Sequence, residues 1–203
     1  MISDFFPIPI YSKKLNLDTK SITNYCLDIK SKTSSVQISN RGGWQSSPLN
    51  LKDEAISNLV KSILNAGESY CEAIKYKYPL KISQAWININ GYKDYNVPHN
   101  HPNSVIAGVY YVEISDRTKG NLVFHHPAHQ IIEYDWPPSA LEEYNPYNSP
   151  LYSLHPESDT LLLFPSWLSH GVEQNLDTVD RLSISFNLYP APSSIKFACF
   201  KSD

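Results

Sequence analysis

Three histidines have a spacing that could hold one metal ion. His99 and His101 are separated by a single residue, and His170 lies far downstream between two strand-like segments. Side chains at positions i and i+2 of an extended chain point the same way, so both imidazoles can reach an ion that the third approaches from another strand. Three ligands on one face leave positions open for a bidentate cosubstrate and dioxygen, as ferrous oxygen chemistry requires. Imidazole also binds zinc, copper and nickel, and ordinary hydrogen-bonded histidines are the simpler alternative.

A positively charged residue, Arg181, follows the third histidine in the sequence and could serve the same site. The segment 181–186 opens with Arg181 and alternates polar and apolar residues, as a half-buried strand does. Arg181 and Ser183 then share one face. A guanidinium can hold a carboxylate through two parallel hydrogen bonds, and a neighbouring hydroxyl can add a third. The pair therefore suits the distal carboxylate of a dicarboxylic acid, and a salt bridge between Arg181 and Asp180 is the alternative.

Several motifs resemble one enzyme superfamily in their order and spacing. They are Gly42-Gly43-Trp44-Gln45-Ser46, Trp86-Ile87-Asn88, His99-Asn100-His101-Pro102 and the runs 107–112, 164–170 and 181–187. Together they resemble the 2-oxoglutarate and Fe(II)-dependent oxygenases, most closely a branch common in bacteria and phages. The resemblance implies a double-stranded β-helix fold, His99 and His170 as iron ligands, Arg181 as the 2-oxoglutarate anchor and Ser183 as its helper. Tyr111 falls where relatives often place a tyrosine that contacts the cosubstrate.

Two positions depart from the pattern of that superfamily. The aspartate of its HxD motif is replaced by His101, so the ligand set becomes three histidines and the charge on the iron site changes. After Phe124, where the branch tends to have Asp-Pro-Arg, this chain reads HHPA. A rival metal cluster could form from His125, His126 and His129. Adjacent residues on a strand point to opposite faces, which disfavours that cluster.

Other polar and aromatic residues each have two interpretations. Asn88 could hydrogen-bond a ligand from inside a barrel, or it could satisfy the backbone. Only one of Tyr110 and Tyr111 can face a pocket, because neighbours on a strand alternate, and we favour Tyr111. We predict no catalytic residue beyond the metal ligands, and we interpret His155 as structural. Three tryptophans are more typical of core or wall positions than of catalysis: Trp44, Trp86 and Trp167.

Two helices and many short strands must position these residues. Apolar residues at helical spacing predict a helix at about 18–30 and a longer one from Leu51 to Ile74, with Asn50 as its N-cap. The segment 39–48, with two adjacent glycines, is predicted to be a loop, and 136–150 a long insertion. From Ile82 onward the pattern repeats every two residues. Further strands are predicted at 105–114, 121–125, 131–134, 160–164, 171–174 and 182–189.

This order of elements favours a mainly β fold. Two helices followed by many short strands suggest a barrel or a sandwich braced by helices. The resemblance to the oxygenases implies the more specific fold, a double-stranded β-helix, that is, a jelly-roll or cupin-like barrel, braced by N-terminal helices. A chain of 203 residues suits one domain better than two. We therefore expect a single domain at 1–203, with helical support at about 15–77 and the barrel core at about 82–190.

Composition narrows the function classes further. The formal net charge is -3 and basic residues occur only in short clusters, so there is no signature of nucleic-acid or anionic-lipid binding. No apolar run approaches bilayer length, and we expect a soluble cytoplasmic protein. Cys26, Cys71 and Cys199 lie far apart, as free thiols in a reducing compartment do. The sequence leaves the oligomeric state open, a homodimer included.

These observations predict an Fe(II)- and 2-oxoglutarate-dependent dioxygenase. It would use dioxygen to hydroxylate an unidentified substrate, with release of succinate and carbon dioxide. The alternative from another class is a non-catalytic metal- or ligand-binding barrel, such as a phage component, and the replaced carboxylate favours it. A cupin-type enzyme without 2-oxoglutarate is a third hypothesis, which Arg181 and Ser183 disfavour.

Overall fold

Two antiparallel sheets form the body of the structure, a computed structural model that describes residues 2–115 and 120–191. The strands are β1 (Tyr11–Lys14), β2 (Asn40–Arg41), β3 (Trp44–Gln45), β4 (Leu80–Asn90), β5 (Tyr95–His99), β6 (Ile106–Glu113), β7 (Leu122–His125), β8 (Leu151–Leu154), β9 (Thr160–Pro165), β10 (His170–Val172) and β11 (Arg181–Pro190). The helices are α1 (Thr19–Lys32), α2 (Ser57–Ala73) and α3 (His129–Asp135), with 3-10 turns at Glu54–Ile56 and Pro138–Ala140. The larger sheet has the order β1-β9-β6-β11-β4-β3, and the smaller one β2-β5-β10-β7-β8.

The two faces of the larger sheet pack against different partners. Side chains alternate between the faces of a strand, and here that alternation separates two apolar clusters. Ile184 and Phe186 of β11 belong to a cluster that also contains residues of α1 and α2. Val109 and Tyr111 of β6 belong to the second cluster, which includes Phe124 of the smaller sheet. One face therefore carries the helix-packed core, and the other faces the interior between the sheets.

Apolar burial fixes both long helices, and a side-chain cap also fixes the start of α1. Asp18 caps α1, since its carboxylate accepts a hydrogen bond of 3.1 Å from the backbone N–H of Ser21. Ile22 and Cys26 of α1 are buried, and so are Leu59 and Ile63 of α2. The predicted helix at 18–30 is confirmed. The longer helix begins later than predicted, because Asp53 rather than Asn50 caps a 3-10 turn that leads into α2.

A short two-strand segment joins the edges of the two sheets. The segment 39–48, predicted to be a loop, contains β2 and β3, which pair with β5 and β4 respectively. Gly42 and Gly43 connect them with φ angles of +71° and +46°. At Gly42 a Cβ atom would overlap the Asp94 carboxylate, so only glycine fits this turn. Two-residue strands carry too little periodicity to be found from sequence.

The prediction of a strand at 131–134 was wrong. These residues belong to α3, with backbone hydrogen bonds from Ile131 and Ile132 to the carbonyl of Ala128. Their β-branched composition suggested a strand, but α3 lies between β7 and β8, where Ile131 and Tyr134 are exposed. β propensity expresses packing on a sheet, and no sheet packs here. The sequence also missed β5, which carries His99, and β8, just beyond the predicted insertion.

Two of the three cysteines lie within the described residues. Cys26 and Cys71 are buried free thiols, and burial raises the pKa of Cys26 to about 12. Cys199 lies outside the described residues. In the part of the chain that the structure describes, no helix combines the length and apolar character needed to cross a bilayer.

Candidate active site

Two strand ends and the residues just beyond one of them bring the three histidines together. His99 is the last residue of β5 and His170 the first of β10, and the two are register partners in the smaller sheet. His101 lies two residues beyond β5, where its backbone N–H donates to the carbonyl of Ser166 at 2.9 Å. The candidate ligand nitrogens of the three residues all lie within 4.8 Å of one another. Among the described residues, this is the only group of histidines, cysteines and acids that could hold a metal ion.

Backbone carbonyls fix the tautomers of two of these imidazoles. Nδ1 of His99 lies 2.8 Å from the Val97 carbonyl, and Nδ1 of His170 lies 2.9 Å from the Leu168 carbonyl. A carbonyl oxygen can only accept, so both Nδ1 atoms carry the hydrogen and both Nε2 atoms present a lone pair. Nε2 of His101 lies 3.3 Å from Nε2 of His170. The two nitrogens are close enough for an Nε2–H of His101 to donate to the His170 lone pair, or for both lone pairs to bind one cation.

Burial keeps the three histidines neutral. It lowers the pKa of His170 to about 3 and that of His101 to about 4, and it lowers the pKa of His99 as well. The neighbouring imidazoles contribute to the low pKa values of His101 and His170, because two positive charges would repel each other. At neutral pH all three rings are in the form that binds a metal. Three neutral nitrogen donors on one face fit a divalent transition metal such as Fe(II).

A row of polar side chains crosses the larger sheet beside the histidines. Gln45, Asn88, Ser183 and Tyr111 lie on the adjacent strands β3, β4, β11 and β6 as successive register partners. Each is less than a tenth exposed. Asn88 donates to the Ser185 hydroxyl at 2.9 Å, but its carboxamide oxygen has no hydrogen-bond partner among the described residues. Polar groups are thus concentrated where the sheet faces the interior.

Arg181 lies in the same interior and is only 2% exposed. Its guanidinium donates to the Gly120 carbonyl at 2.6 Å, whereas its Nε atom has no acceptor among the described residues. Within those residues no carboxylate lies within ion-pair distance of it, and Asp180 instead pairs with Lys30 at 3.8 Å. The alternative of a salt bridge between Arg181 and Asp180 was therefore wrong. A buried guanidinium without an acid needs an anion.

The two neighbouring tyrosines face opposite sides, as their positions on β6 require. Tyr110 packs in the helix-facing cluster and donates to Asp159 at 2.8 Å. Tyr111 lines the interior cavity, and burial raises its pKa to about 12, an effect that the nearby Arg181 charge opposes. The Tyr111 phenol is therefore neutral at physiological pH and can donate a hydrogen bond to an anion.

Two cavities meet at the histidines. The inner one is about 50 Å³, and its lining includes the three histidines, Asn88, Tyr111, Arg181 and Ser183. The outer one is about 370 Å³ and shares His99, His101 and Trp86 with the inner one. The interior thus brings together all seven residues that the sequence singled out for metal and cosubstrate binding.

The sequence of the barrel matches a known family. The model of the 2OG-Fe(II) oxygenase family matches residues 84–187, just over half of the chain. The chain belongs to the 2OG-Fe(II) oxygenase family. The predicted enzyme class and the predicted cofactors, Fe(II) and 2-oxoglutarate, are confirmed by this membership, and the alternative of a non-catalytic barrel is not favoured. No curated protein sequence matches this oxygenase.

Solved structures of similar fold support the predicted architecture. A prolyl-4-hydroxylase from Pseudomonas putida is 10% identical with a TM-score of 0.64, over 91% of this chain and 94% of that one. A Trichoplax adhaerens prolyl hydroxylase, solved with a hypoxia inducible factor peptide fragment, is 16% identical with a TM-score of 0.63, over 89% and 83% of the two chains. HygX from Streptomyces hygroscopicus, solved with nickel and 2-oxoglutarate, is 12% identical with a TM-score of 0.62, over 91% and 84%. The double-stranded β-helix prediction is confirmed.

The remaining histidines of this oxygenase lie outside the triad. The ring centroids of His125 and His129 are 5.5 Å apart, and Nδ1 of His126 accepts a hydrogen bond from the Ala128 backbone N–H. Nδ1 of His155 lies 3.3 Å from the Asn121 carboxamide oxygen. No metal-binding group in the described residues includes any of the four, which agrees with the low weight given to the rival cluster.

Sequence reasoning missed two polar residues of the interior. Ser185 lines the inner cavity, and the alternation that linked Arg181 to Ser183 extends to it. Gln45 lines the outer cavity and had been noted only as part of a motif. Its position could not be recognised, because β3 itself was not predicted. Trp86 was interpreted as a core or wall residue and does form a wall, whereas Trp167 is 56% exposed.

Proposed function

We propose that His99, His101 and His170 hold Fe(II) and that Arg181, helped by Ser183 and Tyr111, anchors 2-oxoglutarate for the hydroxylation of a further substrate. The observation that carries this proposal is the buried Arg181, which lies in the cavity of the triad without an acid partner among the described residues. Bound iron would supply the activation of dioxygen, coupled to decarboxylation of 2-oxoglutarate to succinate. The protein would supply ligand orientation and a site with little water.

The protein's own residues divide these tasks among them. The Val97 and Leu168 carbonyls orient two imidazoles, so their Nε2 lone pairs face one point. Arg181 can offer its Nε–H and further N–H donors to a carboxylate, a geometry that only arginine provides. Ser183 and the neutral Tyr111, which are register partners in the polar row, can each add a hydrogen bond to the same carboxylate. Asn88 could direct its carboxamide toward the same ligand.

The charge distribution suits a dianion. With three neutral ligands, a divalent metal keeps its two positive charges, and Arg181 adds a third in the same cavity. Attraction between opposite charges is strong where water is excluded, so a dicarboxylate bridging metal and guanidinium is favoured. The inner cavity is narrow at about 50 Å³, so we expect its lining side chains to shift when 2-oxoglutarate enters.

The same reasoning extends to the whole chain and its compartment. We infer one oxygenase domain, with helices α1 and α2 bracing the β-helix core, and dioxygen and an unidentified substrate as reaction partners. Two buried free thiols, Cys26 and Cys71, support the reducing cytoplasm as its location. The net charge of -3 speaks against nucleic acid as a partner.

Turnover of the cosubstrate alone tests this proposal. Protein loaded with Fe(II) is incubated with 2-oxoglutarate, ascorbate and air, and succinate is quantified by mass spectrometry. We expect slow succinate formation even without a further substrate, and its loss in His170→Ala. The proposal fails if the wild type forms no succinate above that variant and also binds no 2-oxoglutarate under anaerobic conditions.

A further inference from the structure

The outer cavity differs from the inner one in its chemistry. It is about 370 Å³, within the size range of ligand pockets, and it reaches His99 and His101 directly. Its described lining contains no acidic residue, lysine or arginine; it consists of apolar, hydroxyl, carboxamide and imidazole groups. A charged group placed here would lose water without gaining a partner. The inner cavity, with Arg181, suits an anion, whereas the outer one suits a neutral molecule.

Gln45 is the most unusual residue of the outer cavity. It is only 4% exposed, and both of its backbone groups are hydrogen-bonded: its N–H donates to the Ser35 hydroxyl oxygen at 3.1 Å, and its carbonyl accepts from the Val36 N–H at 2.9 Å. Its side-chain oxygen, in contrast, has no hydrogen-bond partner among the described residues. An unpaired buried carboxamide destabilises a protein, so its presence beside a cavity indicates a ligand.

We propose that the outer cavity binds the primary substrate and that this substrate presents an uncharged amide to Gln45; this inference rests on the proposed function. A carboxamide offers one acceptor and one donor group, which an amide C=O and N–H match. Trp86 provides an apolar wall on the way to the metal site, since its ring centroid lies 5.8 Å from that of His101. A substrate whose amide binds Gln45 and whose apolar part packs on Trp86 would lie next to the histidines.

Neutral and charged versions of one molecule test the proposal. The probes are linear dipeptides blocked by N-acetyl and C-amide groups, cyclic dipeptides, and the same linear dipeptides with free termini. The protein carries Mn(II) and 2-oxoglutarate, so that bound probes are not consumed and their protons near the metal relax faster in NMR spectra. The blocked linear and cyclic probes distinguish a peptide segment from a compact small molecule as the source of the amide.

Gln45→Leu and Gln130→Leu form a matched pair of variants. Both make the same chemical change, but Gln130 is exposed on α3 and lines neither cavity. Losing one neutral hydrogen bond should weaken probe binding by roughly threefold to tenfold in Gln45→Leu and not in Gln130→Leu. If Gln45 stabilised the fold, its replacement would lower the melting temperature of the protein. We expect Gln45→Leu to melt no lower than the wild type, because the side-chain oxygen of Gln45 has no hydrogen bond to lose among the described residues.

The outcomes separate this inference from the proposed function. The inference is supported if Mn(II) relaxes the protons of a neutral probe in the wild type and if probe binding is weaker in Gln45→Leu. Binding of Mn(II) and of 2-oxoglutarate must be unchanged in that variant. It is overturned if no neutral probe binds, if free-terminus dipeptides bind as well as blocked ones, or if both leucine variants bind equally. Absence of 2-oxoglutarate binding in the wild type would instead overturn the proposed function on which the inference rests.

Discussion

The two faces of the larger sheet serve different ends. The helix-facing side is a mainly apolar layer that includes Ile87, Ile184 and Phe186, each at most 1% exposed. The interior side of the same strands carries Arg181 and the polar row. Among the described residues, the buried side-chain atoms without a hydrogen-bond partner belong to Gln45, Asn88, Arg181 and Asn187. All four lie on β3, β4 or β11, on the interior side.

This difference indicates that the interior side of the larger sheet is less favourable for stability because its polar groups are arranged for binding. An unpaired buried polar atom costs roughly 1–3 kcal/mol, so four of them on one face would not persist in a purely structural sheet. Functional sites commonly carry such local costs while the rest of the fold compensates. We therefore expect substitutions on the helix side to change stability, and those on the interior side to change binding.

The largest effect is expected at the metal centre. His170→Ala removes one of three ligands, so the variant should bind no stoichiometric metal while the wild type binds one divalent ion per chain. Metal content after Fe(II) loading and gel filtration measures this, and circular dichroism checks that the variant is folded. His155→Ala is the matched control, since His155 lies outside the triad. Equal metal content in wild type and His170→Ala would place the site elsewhere.

The comparison between faces can be tested at two adjacent residues. Phe186→Ala should lower the free energy of unfolding by about 3–5 kcal/mol, the usual loss for a fully buried aromatic ring. That ring lies directly over Gly108, where even a Cβ atom would not fit. Asn187 is the next residue and faces the interior. Asn187→Ala should lower the free energy of unfolding by at most about 1 kcal/mol, because the Asn187 carboxamide oxygen has no hydrogen-bond partner among the described residues. Urea denaturation of both variants measures the difference, and equal losses would contradict the division of the faces.

The smallest effect is a pH dependence. Because burial lowers the pKa of His101 to about 4 and that of His170 to about 3, protons compete with a metal only in strong acid. Metal affinity should therefore change little between pH 8 and about 5.5, unlike that of exposed histidines with a pKa near 6.5. The metal-free protein should lose stability as pH falls below about 6.5, since the unfolded chain then binds protons that the folded one excludes. A steep loss of metal affinity between pH 7 and 6 would contradict the buried triad.

Much of this site could be predicted from sequence, because it lies on long strands. The two-residue period of β4, β6 and β11 is enough to place Asn88, Tyr111 and Arg181 on one face. Two helices before a series of strands also predicted a barrel or a sandwich, and the resemblance to the oxygenases specified the double-stranded β-helix. The triad followed from two histidines two residues apart and a third at a strand end.

Other parts of the molecule depend on contacts that a sequence does not display. Gln45 became part of the site only through its pairing with Asn88 across strands far apart in the chain. The segment 131–134 has the composition of a strand, yet it is helical because no sheet edge receives it. Neither the lack of an acid partner for Arg181 among the described residues nor the Asp180–Lys30 pair could be foreseen, since both depend on which way two adjacent side chains turn.

The role of Arg181 is the central claim, and one measurement tests it most directly. Arg181→Lys keeps the charge but loses the two-pronged geometry, and hydrogen bonds to charged groups are worth roughly 1.5–3 kcal/mol, or about ten- to a hundredfold in affinity. Anaerobic titration of the Fe(II)-loaded protein with 2-oxoglutarate, followed through the weak visible charge-transfer band of the chelate, gives both affinities. We predict that the variant retains one iron per chain and binds 2-oxoglutarate ten- to a hundredfold more weakly than the wild type. Equal affinities in the two proteins would contradict the account.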